Sequence, residues 1–164
     1  MVMFARERGL LLLFVSALAL GAGTQGVVNA SETPGGSDEG IVFRHALDNE
    51  PLEFTFRPDQ AITPAVETFK ETGENPYGGN AEAISAGEKV YKKLCVACHL
   101  PDGSGRIGPS LIDDQWKYER TGTDIGNFEI IYAGGAGAMQ AFGRRIDQDD
   151  ILKVIAYVET LGQN

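Results

Sequence analysis

The pentapeptide Cys95-Val96-Ala97-Cys98-His99 constrains this chain more than any other stretch. It holds the only two cysteines among 164 residues and one of only two histidines. Two thiols separated by two residues, with an imidazole directly after, form the attachment sequence for a c-type haem. Each thiol can add to a haem vinyl group and form a thioether. The gap suits the separation of the vinyls, and the adjacent imidazole can reach the iron from one face. Competing readings of Cys-x-x-Cys meet specific obstacles. A thioredoxin-like pair needs a βαβ context, and a structural zinc site needs a second pair of ligands. Four-thiolate clusters need four cysteines. A simple tight disulfide is the bland alternative.

The flanking pattern is helical on both sides. Ile84, Gly87, Val90, Tyr91 and Leu94 recur at spacings of three and four, which predicts a helix over 81–94. Gly87 costs such a helix about 1 kcal/mol relative to Ala, so a close helix–helix approach is expected there. Asp147 is a candidate N-cap, and Asp149 and Asp150 in the first turn suit the helix dipole. Ile151, Val154, Ile155, Val158 and Leu161 then form an apolar stripe with Tyr157 at its edge, ending near Gly162. Between them, 100–127 is rich in Gly, Pro, Asp and Thr and reads mostly as loop, followed by a short helix at Phe128–Tyr132. Two firm helices and that much loop need something else to pack around, and a haem would provide it.

Towards the N-terminus, Ile41, Phe43 and Leu47 alternate with polar positions, as do Leu52, Phe54 and Phe56. Asp48-Asn49-Glu50-Pro51 lies between them. The pattern predicts a short hairpin with one apolar face per strand. Thr63-Pro64 is a helix start, a hydroxyl cap followed by a proline where no donor is needed. That helix would turn Val66 and Phe69 inward and stop at Gly73. The extension over 41–80 is too small for a core of its own.

Residues 1–30 read as an address. Arg6 and Arg8 precede an apolar run from Leu10 to Leu20, and Val28-Asn29-Ala30 fits a small-x-small cleavage site. Eleven residues at about 1.5 Å each fall short of a hydrocarbon core of roughly 30 Å. A cleaved secretory signal over 1–30 is therefore expected, leaving no membrane anchor. Residues 31–40 have almost nothing to bury and read as a flexible lead-in. The chain carries 14 Lys and Arg against 23 Asp and Glu, a net charge of −9. Such a balance opposes nucleic-acid binding, which needs clustered positive charge. The acidity is uneven: 31–80 holds three basic and ten acidic side chains, whereas 81–120 holds six of each.

Iron in a closed site needs a donor on the face away from His99. Residues 31–164 offer Met139, their one methionine, or His45. Met139 ends the run Gly134-Gly135-Ala136-Gly137-Ala138, whose small residues let backbone lie close to a flat macrocycle. His45 falls on the apolar face of the expected hairpin, where a surface or core role suits it better. A His99/Met139 pair raises the iron potential and fills both axial positions. Electron transfer, rather than turnover of a substrate at iron, is then the natural activity. Gly108-Pro109 could offer a carbonyl to the second imidazole nitrogen. Trp116 and Tyr118 could flank the haem or a propionate, with Arg120 or Lys117 as the propionate's partner. Core packing would explain the same aromatics.

The order helix, Cys-x-x-Cys-His, Gly-Pro, Met, helix resembles the class I cytochromes c. Gly87 and Tyr91 match the first-helix positions that cross the last helix in that family, and Tyr157 matches its aromatic partner. Glu71-Thr72-Gly73-Glu74-Asn75-Pro76-Tyr77, Ile107-Gly108-Pro109-Ser110-Leu111 with Trp116, and Tyr132-Ala133-Gly134-Gly135 with Met139 resemble cytochrome c-L in particular. The resemblance runs from about Ile41 to Leu161. It implies a mainly α-helical class I fold around one covalent haem c, with 81–164 as the cytochrome domain. It also implies a periplasmic carrier, not an enzyme. The carrier would take electrons from a pyrroloquinoline quinone (PQQ)-dependent methanol dehydrogenase and pass them to a downstream cytochrome c or oxidase. In that family the cytochrome of the calcium-dependent enzyme usually continues well past the last helix. The shorter end here leans towards the partner of the lanthanide-dependent enzyme, and both stay open. Calcium is an open candidate cofactor without a legible calcium loop. The competing classes are a haem enzyme or gas sensor with a labile distal ligand, and a fixed cytochrome subunit of a larger oxidoreductase.

Overall fold

A computed structural model describes residues 40–162, which fall within one compact unit. The expected signal over 1–30 and all but Gly40 of the lead-in over 31–40 lie outside the described residues. Five helices follow in order: α1 Pro64–Thr72, α2 Ala81–Leu94, α3 Val96–His99, α4 Asp124–Ala133 and α5 Gln148–Leu161.

The helix boundaries follow from local chemistry. The Thr63 hydroxyl accepts the Val66 amide at 3.3 Å, Pro64 opens α1, and Gly73 at φ +75° closes it with its N–H on the Phe69 carbonyl. Asn80 caps α2 by accepting the Ala83 amide at 3.0 Å. The expected helix at Phe128–Tyr132 is longer, because Thr123 caps it at Gly126 and Asp124 supplies the acidic first turn. Asp147 takes the N-cap position of α5 without a side-chain cap bond. Its carboxylate pairs instead with Arg57 of the extension.

Helices α2 and α5 cross main chain to main chain. A Cβ on Gly87 would fall onto the Lys153 carbonyl, which is why glycine stands there despite its cost. Tyr91 is fully buried beside the crossing, its ring 5.3 Å from that of Tyr157. The α5 stripe is wider than its periodicity indicated, because Leu152 is also fully buried.

The extension does not form the expected hairpin. Among the described residues it makes one antiparallel bridge, Arg44 to Pro51, flanked by Leu52 N–H to Phe43 O and His45 N–H to Glu50 O, both 2.8 Å. Pro51 occupies the pair whose amides point away from the partner segment, so proline is tolerated there. Leu47, expected on the inner face, is exposed in the turn. Phe43, Leu52, Val66 and Phe69 nevertheless join Phe128 and Tyr132 of α4 and Ile151, Leu152 and Ile155 of α5 in one core. Phe54 packs edge-on against Phe43, Phe128 and Tyr132 at 4.5–5.2 Å.

Polar bonds fasten the extension to that core. Tyr132 Oη accepts the Thr55 amide at 2.9 Å, and Asn75 Nδ2 donates to the Leu152 carbonyl at 2.8 Å. Thr63 and Tyr77 both donate to Asp149 Oδ1 at 2.7 Å. Glu129, almost fully buried on α4, accepts the Arg44 amide at 2.7 Å and two bonds from Arg120 at 2.6 and 2.9 Å. No helix among the described residues is long and apolar enough to cross a membrane.

Candidate haem site

One turn of helix sets the two thiols. The His99 amide bonds the Cys95 carbonyl at 3.0 Å, and the three-residue spacing puts Cys95 and Cys98 on one face of α3. Both are free cysteines and half-buried. Burial, and secondarily the neighbouring Cys98, pushes the Cys95 thiol up to about 11, so it stays protonated at neutral pH. A thiol held in that form is a poor redox nucleophile.

His99 is buried, and its Nδ1 lies 3.0 Å from the Pro109 carbonyl. A carbonyl can only accept, so Nδ1 carries the proton and Nε2 keeps its lone pair for a metal. Gly108 makes room for this ring: a Cβ there would lie 2.5 Å from Cε1 and 2.8 Å from Nε2. The loop is tied back by Arg106 and Gly108 amides on the Cys98 carbonyl, at 3.0 and 3.1 Å. Leu100 adopts φ +62°, an unusual conformation for a leucine, and its carbonyl accepts from Tyr91 Oη at 2.8 Å. Burial holds the Tyr91 phenol well above its ordinary pKa, so it remains a neutral donor.

Cys95, Cys98, His99, Pro109, Trp116 and Met139 all line one cavity of about 580 Å³. Its walls are mostly apolar, built by Leu94, Ile130, Ile131, Val154, Ile155 and Val158 among others. Met139 arrives on the glycine-rich turn after α4, where Gly134 and Gly137 both have positive φ. Trp116 rests on Gly122, where a Cβ would come within 2.6 Å of the indole. His45 is absent from the lining and sits beside the turn of the extension. Arg120 is also absent: its guanidinium is committed to Glu129, so it is not free for a propionate, and Lys117 is the lining member of that pair.

Several lining residues escaped sequence reasoning, Lys93, Arg145 and Asn127 among them. No spacing rule marks them. Together with Lys117, Lys93 and Arg145 make every charged side chain on the wall a cation, in a chain of net charge −9. An apolar chamber with two thiols, one imidazole with a free nitrogen, one thioether and a cationic lining suits an iron porphyrin bearing two carboxylates. Among the described residues, no group of three or more His, Cys, Asp or Glu is placed to hold a metal ion.

Comparison with known proteins bears on the family of the chain. Residues 82–158 match the family described as cytochrome c oxidase, cbb3-type, subunit III. The crystal structure of cytochrome cL from Methylophaga aminisulfidivorans superposes with a TM-score of 0.71 at 37% identity, covering 73% of this chain and 80% of that one. The chain belongs to the cytochrome c-L family of class I cytochromes c. Cytochrome cL from Hyphomicrobium denitrificans gives a TM-score of 0.69 at 36% identity, covering 73% of both chains. Cytochrome c-L of Methylorubrum extorquens is 34% identical over 127 residues, 77% of this chain. The present chain spans 64% of that relative's length. Membership in a c-type cytochrome family implies covalently bound haem c, and the helical architecture agrees with the class I fold.

Proposed function

We propose that this chain is a periplasmic one-electron carrier that accepts electrons from a PQQ-dependent methanol dehydrogenase and passes them to a downstream cytochrome c or oxidase. The observation that carries this reading is the cavity that gathers Cys95, Cys98, His99 and Met139 from two separate segments of chain. In this reading Cys95 and Cys98 form the thioethers, His99 is the proximal ligand and Met139 the distal one. Haem bound there supplies a one-electron ferric–ferrous couple whose potential a thioether raises. The chain's own residues do the rest. Pro109 holds the His99 proton at Nδ1, Gly108 keeps the ring clear, and the apolar walls exclude water. With His99 and Met139 both holding iron, the group would offer no open site to oxygen or peroxide, which favours a carrier over a haem enzyme. The match to cytochrome cL of a marine methylotrophic bacterium supports the choice of donor, and the signal-like segment 1–30 supports export.

A shuttle must also leave its partner, and interfaces of that kind tend to bury less than about 1,200 Å². The extension supports electrostatic steering. Its seven carboxylates over 41–80 are all exposed, whereas Arg44, Arg57 and Lys70 are half-buried. Lys70 lies 4.0 Å over the Phe56 ring, and Arg57 pairs with Asp147. Asp59 also pairs with Arg57 at 3.4 Å, and the extension still offers a net excess of negative charge to a basic partner.

Met139→Ala tests the assignment. The purified holoprotein should lose the near-infrared charge-transfer band of thioether-bound ferric iron, and its potential should fall. An unchanged band would remove Met139 from the iron. For the partner, reduction by the dehydrogenase should slow as salt rises, and undiminished growth on methanol after gene deletion would count against the donor. The match to a cbb3 oxidase subunit gives a second reading, a fixed subunit, which co-purification at constant stoichiometry in high salt would favour.

A further inference from the structure

We propose that Tyr118 is the positioning residue for Met139: its phenol pins the glycine-rich turn that carries the thioether to the segment forming another part of the cavity wall. The inference rests on the reading of Met139 as distal ligand.

The turn has little means of holding itself. Gly134 and Gly137 have positive φ, and Ala136, Gly137 and Ala138 are exposed. Residues 134–138 offer no side chain larger than a methyl group, so packing cannot fix their path. Within the turn, the Gly135 amide bonds the Met139 carbonyl at 3.1 Å, which closes the loop on itself without fixing it to anything else. Among the described residues, the bond that reaches the tip from outside is Ala136 N–H to Tyr118 Oη, 2.7 Å. Both Tyr118 and Met139 line the cavity.

Tyr118 is itself held. Its carbonyl accepts the Thr121 hydroxyl at 2.5 Å and the Thr121 amide at 3.1 Å. Two residues on, Arg120 is locked by its paired bonds to buried Glu129 of α4. Gly135 keeps the approach open: a Cβ there would come within 2.6 Å of Ile130 Cδ1 and 3.4 Å of the phenol oxygen. A continuous path therefore runs from α4 through Arg120 and Tyr118 to the turn. A thioether is a neutral donor with no charge to draw it to iron, so its occupancy depends on how firmly the turn is held. One neutral hydrogen bond biases such an equilibrium by about tenfold.

The test uses the holoprotein and compares Tyr118→Phe, which removes only the hydroxyl, with Met139→Ala. In Tyr118→Phe the near-infrared thioether band should weaken, and carbon monoxide should bind the reduced protein about tenfold faster. The potential should fall, while haem content and helicity stay unchanged. A Tyr118→Phe protein with the parent's band, carbon monoxide rate and potential overturns the inference. If Met139→Ala keeps the band, the ligand assignment fails first and takes this inference with it. If Met139→Ala loses the band while Tyr118→Phe is unaffected, only the positioning role fails. Hydrogen exchange of the parent holoprotein is a second measurement that needs no variant. The Ala136 amide should exchange about tenfold more slowly than that of Gly137, and equal rates would overturn the inference.

Discussion

The extension and the thiol-bearing segment solve the same problem in opposite ways. Over 41–78 a chain too short for its own core inserts Phe43, Leu52, Val66 and Phe69 between α4 and α5 and fills the space with aromatic edges. Over 95–121 the chain is largely loop, held by backbone bonds around a cavity of about 580 Å³. One half is stabilised by its own side chains, and the other is shaped to be completed by a bound group. Polar contacts follow the division. Asp149, Glu129 and Tyr132 tie the extension to the helices, while the bonds to Cys98, His99 and Leu100 mostly hold a loop around a ring.

Replacing both thiols, Cys95→Ser with Cys98→Ser, should break the comparison most severely. No covalent haem should remain on a denaturing gel, and amide protection should collapse over 95–121 before it does over 41–78. Equal loss in both halves would show that the aromatic half depends on haem as well. Phe69→Ala attacks the other side. It should cost about 3–5 kcal/mol in chemical unfolding, with the visible spectrum of the folded holoprotein unchanged.

Gly87→Ala probes the crossing that both halves share. The added methyl meets the Lys153 carbonyl, backbone rather than a yielding side chain, so a loss of about 1–3 kcal/mol in thermal or chemical unfolding is expected. Wild-type stability would mean that the helices can separate without penalty.

The smallest effect is a pH dependence at the α4–α5 contact. Desolvation, then the hydrogen bond and charge of Asp124, raise the Glu159 carboxyl to about 7. The folded state therefore holds a proton that the unfolded chain releases near pH 4.5. Glu159 should contribute fully below that pH, and its contribution should be lost as pH rises through about 7. Solvent exposure makes the change small. Glu159→Gln should flatten the stability profile between those values, measured by urea titration at several pH values; an unchanged profile would exclude Glu159 as its source.

Much of this was legible beforehand, for reasons that differ by residue. The thiols and His99 share one helical turn, so spacing alone carried them. Thr63-Pro64 and Gly73 mark α1 because caps are local chemistry. Gly87 was legible because a helix keeps an unfavourable glycine only where something presses on it. Other features depend on distant partners. The hairpin over 41–56 shrank to a single bridge because the aromatic core, not a ladder, holds the segment. Arg120 and Lys117 stood as equal candidates for a propionate because nothing in the sequence reveals that Arg120 bonds Glu129. Lys93 and Arg145 reach the cavity from separate segments without any shared motif. Leu152 fell outside the expected stripe because both faces of α5 are covered, one by α2 and one by the extension.

Helix α4 is a party wall. Phe128 and Tyr132 face the aromatic room, Asn127 and Ile130 face the chamber, and Ile131 borders both, so the two compartments share one boundary. In the holoprotein the colour change and the loss of helix should therefore superimpose in a single transition, and only removal of the haem should let the chamber side open first.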